Sequence, residues 1–187
     1  MKIIIKIIKR IIRSILELIP IFLFALIIAL PIRSFLFQPF FVRGNSMEPT
    51  YKTNDYLLIE EVSYHFRNPR RGEIIVFKYP RNPSDYYIKR VIGLPGEIVE
   101  ITNGRIKIYN IENPKGKILE EPYINNKFTP GQLKISLKKN EYFVLGDNRE
   151  HSSDSRSWGA LPADHIIGRS WLSIPILKIF LLLPIYQ

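Results

Sequence analysis

The sequence contains no cysteine. That excludes a disulfide framework and any thiolate-ligated zinc site. A domain outside the cytoplasm would have to be held by packing alone. Histidine is nearly as scarce, with His65, His151 and His165 the full set. His65 lies in a charged stretch, His165 follows the turn Pro162-Ala163-Asp164, and His151 sits in the polar run after Gly146. None of these settings marks out a catalytic base. Internal repeats and low-complexity tracts are also missing, and 46% apolar content excludes a disordered chain. No metal and no cofactor is expected.

Acidic residues are outnumbered 17 to 27, for a net charge of +10. Such a balance first suggests nucleic acid. The placement of the charge argues against it. Lys2, Lys6, Lys9, Arg10 and Arg13 all precede the longest apolar run. Basic residues before an apolar segment follow the positive-inside rule, so the expected partner is a lipid bilayer, not nucleic acid.

The apolar run covers residues 15–32 and carries one charge, Glu17. A helix of this length rises about 27 Å, close to the hydrocarbon core. Pro20 and Pro31 are tolerable near the ends of such a helix. A cleaved signal peptide would have a shorter apolar core and a small-residue cleavage site. Ala29-Leu30-Pro31 is a poor one, which favours a retained anchor. The expected organisation is a cytoplasmic basic N-terminus over 1–14, a single transmembrane anchor over 15–34, and an extracytoplasmic domain over 35–187. Phe35, Phe37, Phe40 and Phe41 suit the outer interface, or else the core of the following domain.

After Phe41 the helical period is lost. Short β-rich runs alternate with turn signals: 56–62, 73–79, 86–92, 98–102, 105–109, 141–145 and 166–173. Asn103-Gly104 predicts a tight hairpin turn. Residues 98–140 are expected to contain a smaller β insert, with the polar, Pro- and Lys-rich stretch 111–140 lying off the core. The tail 172–187 is apolar and broken by Pro175 and Pro184; it lies on the membrane or packs on the core. The fold class is mostly β, a barrel-like or sandwich domain.

Ser46 lies in the turn Gly44-Asn45-Ser46-Met47-Glu48-Pro49-Thr50, just beyond the anchor. A serine in a Gly/Pro turn is usually only a turn residue. Constrained between Gly44 and Pro49, however, its hydroxyl can be held in one direction and its N–H aimed at a developing oxyanion. A serine nucleophile needs a base. In the run YYIKRVI, alternation places Tyr87, Lys89 and Val91 on one face and Arg90 on the other. A lysine among apolar neighbours can lose enough basicity to act as a base near neutral pH. An ordinary strand lysine keeps its head in water, and periodicity alone does not separate the two cases.

Three longer strings separate them. Residues 46–50, Ser-Met-Glu-Pro-Thr, resemble the SMxPT box of type I signal peptidases. Residues 89–97 resemble their KRVIGLPGD box, with Glu97 in the last place. Gly146-Asp147-Asn148-Arg149, Ser152, Asp154-Ser155-Arg156 and Trp158-Gly159 resemble their GDNRxxSxDSRxWG box. Weaker boxes surround Asn54-Asp55-Tyr56 and Arg71–Phe77. Order, spacing and upstream anchor agree. The resemblance implies a membrane-bound serine endopeptidase with a Ser/Lys dyad that removes signal peptides from exported preproteins after a small-x-small motif. It implies Ser46 as nucleophile, Lys89 as base, and Ser152 as the group that hydrogen-bonds and orients the lysine. Asp154 and Arg156 would pair to brace their loop, with Asp147 in a similar role. Some members carry a serine two residues before the nucleophile as an extra oxyanion donor. Gly44 stands there in this chain, leaving that hole to backbone N–H groups.

Overall fold

The computed structural model describes residues 10, 13, 16–27, 37–124 and 127–174. The chain divides into two units, Met1–Gln38 and Pro39–Gln187. In the first, residues 16–27 are helical, and apolar side chains including Leu18, Phe22 and Phe24 are exposed. Among the described residues no helix is long and apolar enough to cross a membrane. Residue 15 and residues 28–34 of the expected anchor lie outside the described residues, as do 175–187 of the apolar tail.

The second unit is built from strands. They are β1 (Phe37–Phe41, which begins at the end of the first unit), β2 (Tyr56–Glu60), β3 (Ile74–Tyr79), β4 (Asn82–Gly93), β5 (Ile98–Thr102), β6 (Arg105–Tyr109), β7 (Lys117–Ile118), β8 (Leu133–Ser136), β9 (Glu141–Leu145), β10 (Leu161–Pro162) and β11 (Ile166–Ile174). A seven-stranded sheet has the order β1-β2-β11-β3-β4-β9-β10, and a four-stranded sheet the order β7-β6-β5-β8. Among the described residues both sheets are open. This corrects the barrel alternative: β1 and β10 remain edges of the large sheet.

The β5–β6 hairpin turns on Asn103 and Gly104, both at positive φ, as the Asn-Gly pair predicts. Strand β4 starts four residues earlier than periodicity suggests. Asn82-Pro83-Ser84-Asp85 reads as turn chemistry, yet it is carried into the sheet by the β3–β4 hairpin, in which Tyr79 faces Asn82.

The two sheets share one apolar cluster. Ile92 of β4 and Phe143 and Leu145 of β9 pack with Val99, Ile101, Ile106 and Ile108 of the small sheet. Gly93 sits at this junction. A methyl group there would come within 2.5 Å of Val99 and 2.9 Å of Phe143, so only glycine fits. Ile124, Thr129 and Leu137 are buried. Residues 111–140 therefore contribute to the interior, which their polar composition conceals: the buried positions are few and widely spaced. On the other side of β4, Ile75, Phe77, Val91, Tyr142, Val144 and Leu161 form a second cluster. Buried from Lys89 to Gly93, the second half of β4 is the spine of the domain.

Candidate active site

Strand β4 brings Lys89 to the heart of the large sheet, opposite Ile75 of β3. Its side chain is 4% exposed, and its Nζ lies 5.4 Å from the centre of the Tyr87 ring, on the face that alternation assigns. Burial pulls the amine down from its ordinary value to about 8, against the opposing pull of the Asp154 and Asp147 carboxylates. Nζ donates to Ser46 Oγ at 2.8 Å and to the Ile88 carbonyl at 2.8 Å.

Ser46 is presented by a turn with several anchors. Gly44 adopts φ +87°, a left-handed conformation that favours glycine. Met47 is fully buried beside the serine. Glu48 N–H donates to the Asn45 carbonyl and Tyr51 N–H to the Met47 carbonyl. The turn is also held from outside: Asn148 N–H donates to the Ser46 carbonyl at 3.0 Å, and Asn148 Nδ2 to the Asn45 carbonyl at 3.2 Å.

The loop after β9 supplies the remaining groups. Asp154 is fully buried. Its carboxylate accepts from Arg156 Nε and Nη2 at 2.8 Å each, from Gly146 N–H at 3.1 Å, and from Arg156 N–H at the start of the one-turn helix Ser155–Trp158. Asp147 accepts two bonds from Arg90, at 2.8 and 2.6 Å, and one from Thr50 Oγ1 at 2.5 Å. The two arginines therefore brace the loop through both carboxylates. Ser152 behaves differently from expectation. Its Oγ is buried and makes no hydrogen bond, to Lys89 or to any other described group. It packs against Gly146 instead, 2.2 Å from where a methyl on that glycine would lie.

A cleft of about 750 Å³ opens over Ser46 and Lys89. Its walls come from β1 and the turn after it, from residues 84–89 of β4, and from His151 and Ser153. Phe40 and Tyr86 face each other across ring centroids 5.7 Å apart. The lining is mixed, with Phe40, Phe41, Val42 and Ile88 beside Arg43, Asn45, Asp85 and His151. The register pairs β4 with β9 only from Arg90 onward, so among the described residues Asn82–Lys89 is paired on the β3 side alone.

Sequence reasoning overlooked Arg90, Thr50 and Asn148 as site residues. All three stand inside the quoted strings, so the signal was present but their direction was not. Glu121, Tyr123 and Thr129 carry no such signal.

The same residues match known proteins. Residues 15–174 match the family described as signal peptidase, peptidase S26. A signal peptidase I from Leptolyngbya laminosa is 44% identical over 156 residues, covering 78% of this chain and 72% of that protein. A probable signal peptidase I-2 from Synechocystis is 38% identical over 164 residues, covering 84% of this chain and 72% of that protein. A crystal structure of a signal peptidase I from Enterococcus faecalis shares 32% identity at a TM-score of 0.48, covering 56% of this chain and 98% of that one. The matched stretch runs from the N-terminal helix to the end of β11 and takes in every strand of both sheets, and on that ground the chain belongs to the signal peptidase family, peptidase S26.

Proposed function

We propose that the chain is a membrane-anchored serine endopeptidase that removes N-terminal signal peptides from exported preproteins, cutting after a small-x-small motif. The observation that carries this reading is the 2.8 Å contact between Ser46 Oγ and the buried Lys89 amine, at the floor of an open cleft. A neutral Lys89 takes the proton from Ser46 Oγ as that oxygen attacks the scissile carbonyl carbon. The negative charge forms on the carbonyl oxygen, where the Ser46 N–H stabilises it. The lysine then gives its proton to the departing amine. In the second half it takes a proton from water, which attacks the acyl carbon and releases Ser46. Asp147, Asp154 and Arg156 hold the loop beside the dyad, and Ser152 fills the space against Gly146. The unpaired side of Asn82–Lys89 suits an extended substrate that adds a strand.

Purified protein in detergent should cut a preprotein bearing Ala at −1 and −3 directly after the −1 residue, as read from the N-terminus of the product. Replacing the −1 Ala by Trp should slow cleavage by about a hundredfold or more, as selection for a small residue at that position requires. Equal cleavage of both substrates would overturn the small-residue specificity.

The anchor reading is supported by the apolar run over 15–32 and by the exposed apolar side chains of residues 16–27. Basic residues before it support a cytoplasmic N-terminus and a catalytic domain outside. Protease added to spheroplasts should digest the domain after Arg33 while the cells stay intact. Full protection would reverse the orientation.

A further inference from the structure

Between β7 and β8 the chain reaches back to the loop that carries Asp147 and Asp154. It does so with Glu121, Tyr123 and Thr129. Arg149 is the receiving group, 3% exposed. Its Nη1 donates to Glu121 Oε2 at 3.0 Å and to Thr129 Oγ1 at 2.5 Å; its Nη2 donates to Glu121 Oε1. Its Nε donates to the Gly146 carbonyl at 2.9 Å. Tyr123 Oη donates to Glu121 Oε1 at 2.5 Å, and its ring lies 3.8 Å from the Arg90 guanidinium. Arg90 holds Asp147. The result is a closed circuit of two buried arginines and two buried carboxylates, with the phenol between them.

Stability alone is a poor reason for such a circuit. Taking paired charges out of water costs about as much as their attraction returns, and apolar residues of similar volume often do as well. What the circuit does achieve is to fix backbone. Its output is the Gly146–Asn148 turn, whose residue 148 N–H holds the Ser46 carbonyl.

We propose that Glu121 is a positioning residue for the nucleophile. Its carboxylate fixes the Arg149 guanidinium, Arg149 fixes the Gly146 carbonyl, and the turn so held sets the height of Ser46 against Lys89. Thr129 supplies the second contact on Arg149, and the Tyr123 hydroxyl fixes the carboxylate. The inference rests on the assignment of Ser46 as nucleophile. It gives the small sheet a part in the chemistry: the hairpin unit carries the brace that the large sheet lacks.

The test uses the full chain in detergent with the preprotein substrate, and compares Glu121→Gln, Thr129→Val and Arg149→Met with wild type and with Ser46→Ala. Each variant is assayed well below its own Tm. Glu121→Gln and Arg149→Met should each lower kcat by about tenfold or more with KM within about twofold, because a misplaced nucleophile affects the chemical step and not the cleft. The Glu121→Gln/Arg149→Met double variant should be no slower than the slower single, since both act through one contact. Thr129→Val is nearly isosteric and should lower kcat by severalfold; it decides the matter if Glu121→Gln does not fold. A fall in Tm with kcat unchanged in Glu121→Gln and Thr129→Val would overturn the positioning role. Activity in Ser46→Ala would overturn the nucleophile itself. Inactive Ser46→Ala beside Glu121→Gln at the wild-type kcat would sink the brace alone.

Discussion

Lys89→Met is expected to abolish preprotein cleavage, by more than about a thousandfold, while leaving the protein folded and more stable at neutral pH. The loss follows from chemistry. Without an acceptor 2.8 Å from Oγ, the Ser46 hydroxyl stays a weak nucleophile. Ser46→Ala should lose as much, and the double variant no more than either single, because the two side chains act as a unit. Methionine keeps the length and apolar stem that the buried site accepts. If Lys89→Met retained substantial activity, another group would have to be the base.

The pH dependence follows from the lysine's setting. Only the neutral amine can accept the proton. With a pKa of about 8, about a tenth of it is neutral at pH 7, against about three parts in ten thousand at the ordinary 10.5. The profile of kcat/KM should therefore climb about tenfold per unit below pH 8 and level off above pH 9. An inflection near 10 would mean that the amine is solvated in the working enzyme.

Stability should move with pH in a linked way. Between about 8 and 10.5 the unfolded lysine holds a proton that the folded one has lost, so wild-type stability rises with pH across that window. Below 8 both states are charged, and the folded protein bears the full cost of a buried cation, roughly 3 kcal/mol. Lys89→Met removes that cost. Its advantage in Tm should be largest below pH 8 and shrink toward pH 10. A catalytic group that weakens the fold it stands in is a common trade in active sites.

Sequence pattern showed most of the strands and little of how they are combined. Short β-rich runs between turn signals located β2, β3, β5, β6, β9 and β11 within two residues; β5 and β6 alternate in burial, whereas β3 and β9 are almost continuously buried. The start of β4 was hidden, since Asn82–Asp85 is exposed and carries turn residues that the hairpin overrides. The joining of the two sheets was also hidden. Gly93 shows no apolar side chain, yet it is the point where Val99, Leu137 and Phe143 converge. The site divides in the same manner. Ser46 and Lys89 are 43 residues apart, and no local periodicity relates them; only the strings around them suggest that they meet. The direction of the Ser152 hydroxyl depends on one rotamer, which no string encodes. Glu121 lies in a stretch whose composition reads as surface, and its burial comes from a tertiary contact with Arg149.

Gly146→Ala should lower activity sharply through a single added methyl group. That methyl would lie 2.2 Å from Ser152 Oγ, 2.6 Å from Ser152 Cβ and 2.4 Å from the Ser46 carbonyl oxygen. The Ser152 hydroxyl can turn away from it, but Ser152 Cβ moves only with its own backbone. The Ser46 carbonyl cannot turn away, because it is backbone and is held by Asn148 N–H. Relief requires the nucleophile turn and the Gly146 turn to separate by several tenths of an ångström or more. Separation stretches the contact between Ser46 Oγ and Lys89, whose own position is fixed by β4. A displacement near 1 Å at a reacting group costs about a hundredfold in rate, so kcat should fall by about that factor. The overpacking itself costs only about 1–3 kcal/mol, and the strands on either side of the loop remain intact. The variant should therefore fold, melt a few degrees lower, and bind substrate with little change in KM. Wild-type kcat in a folded Gly146→Ala protein would mean that the two turns are not in contact during catalysis, and that the close approach of Gly146 to Ser46 has no part in placing the nucleophile.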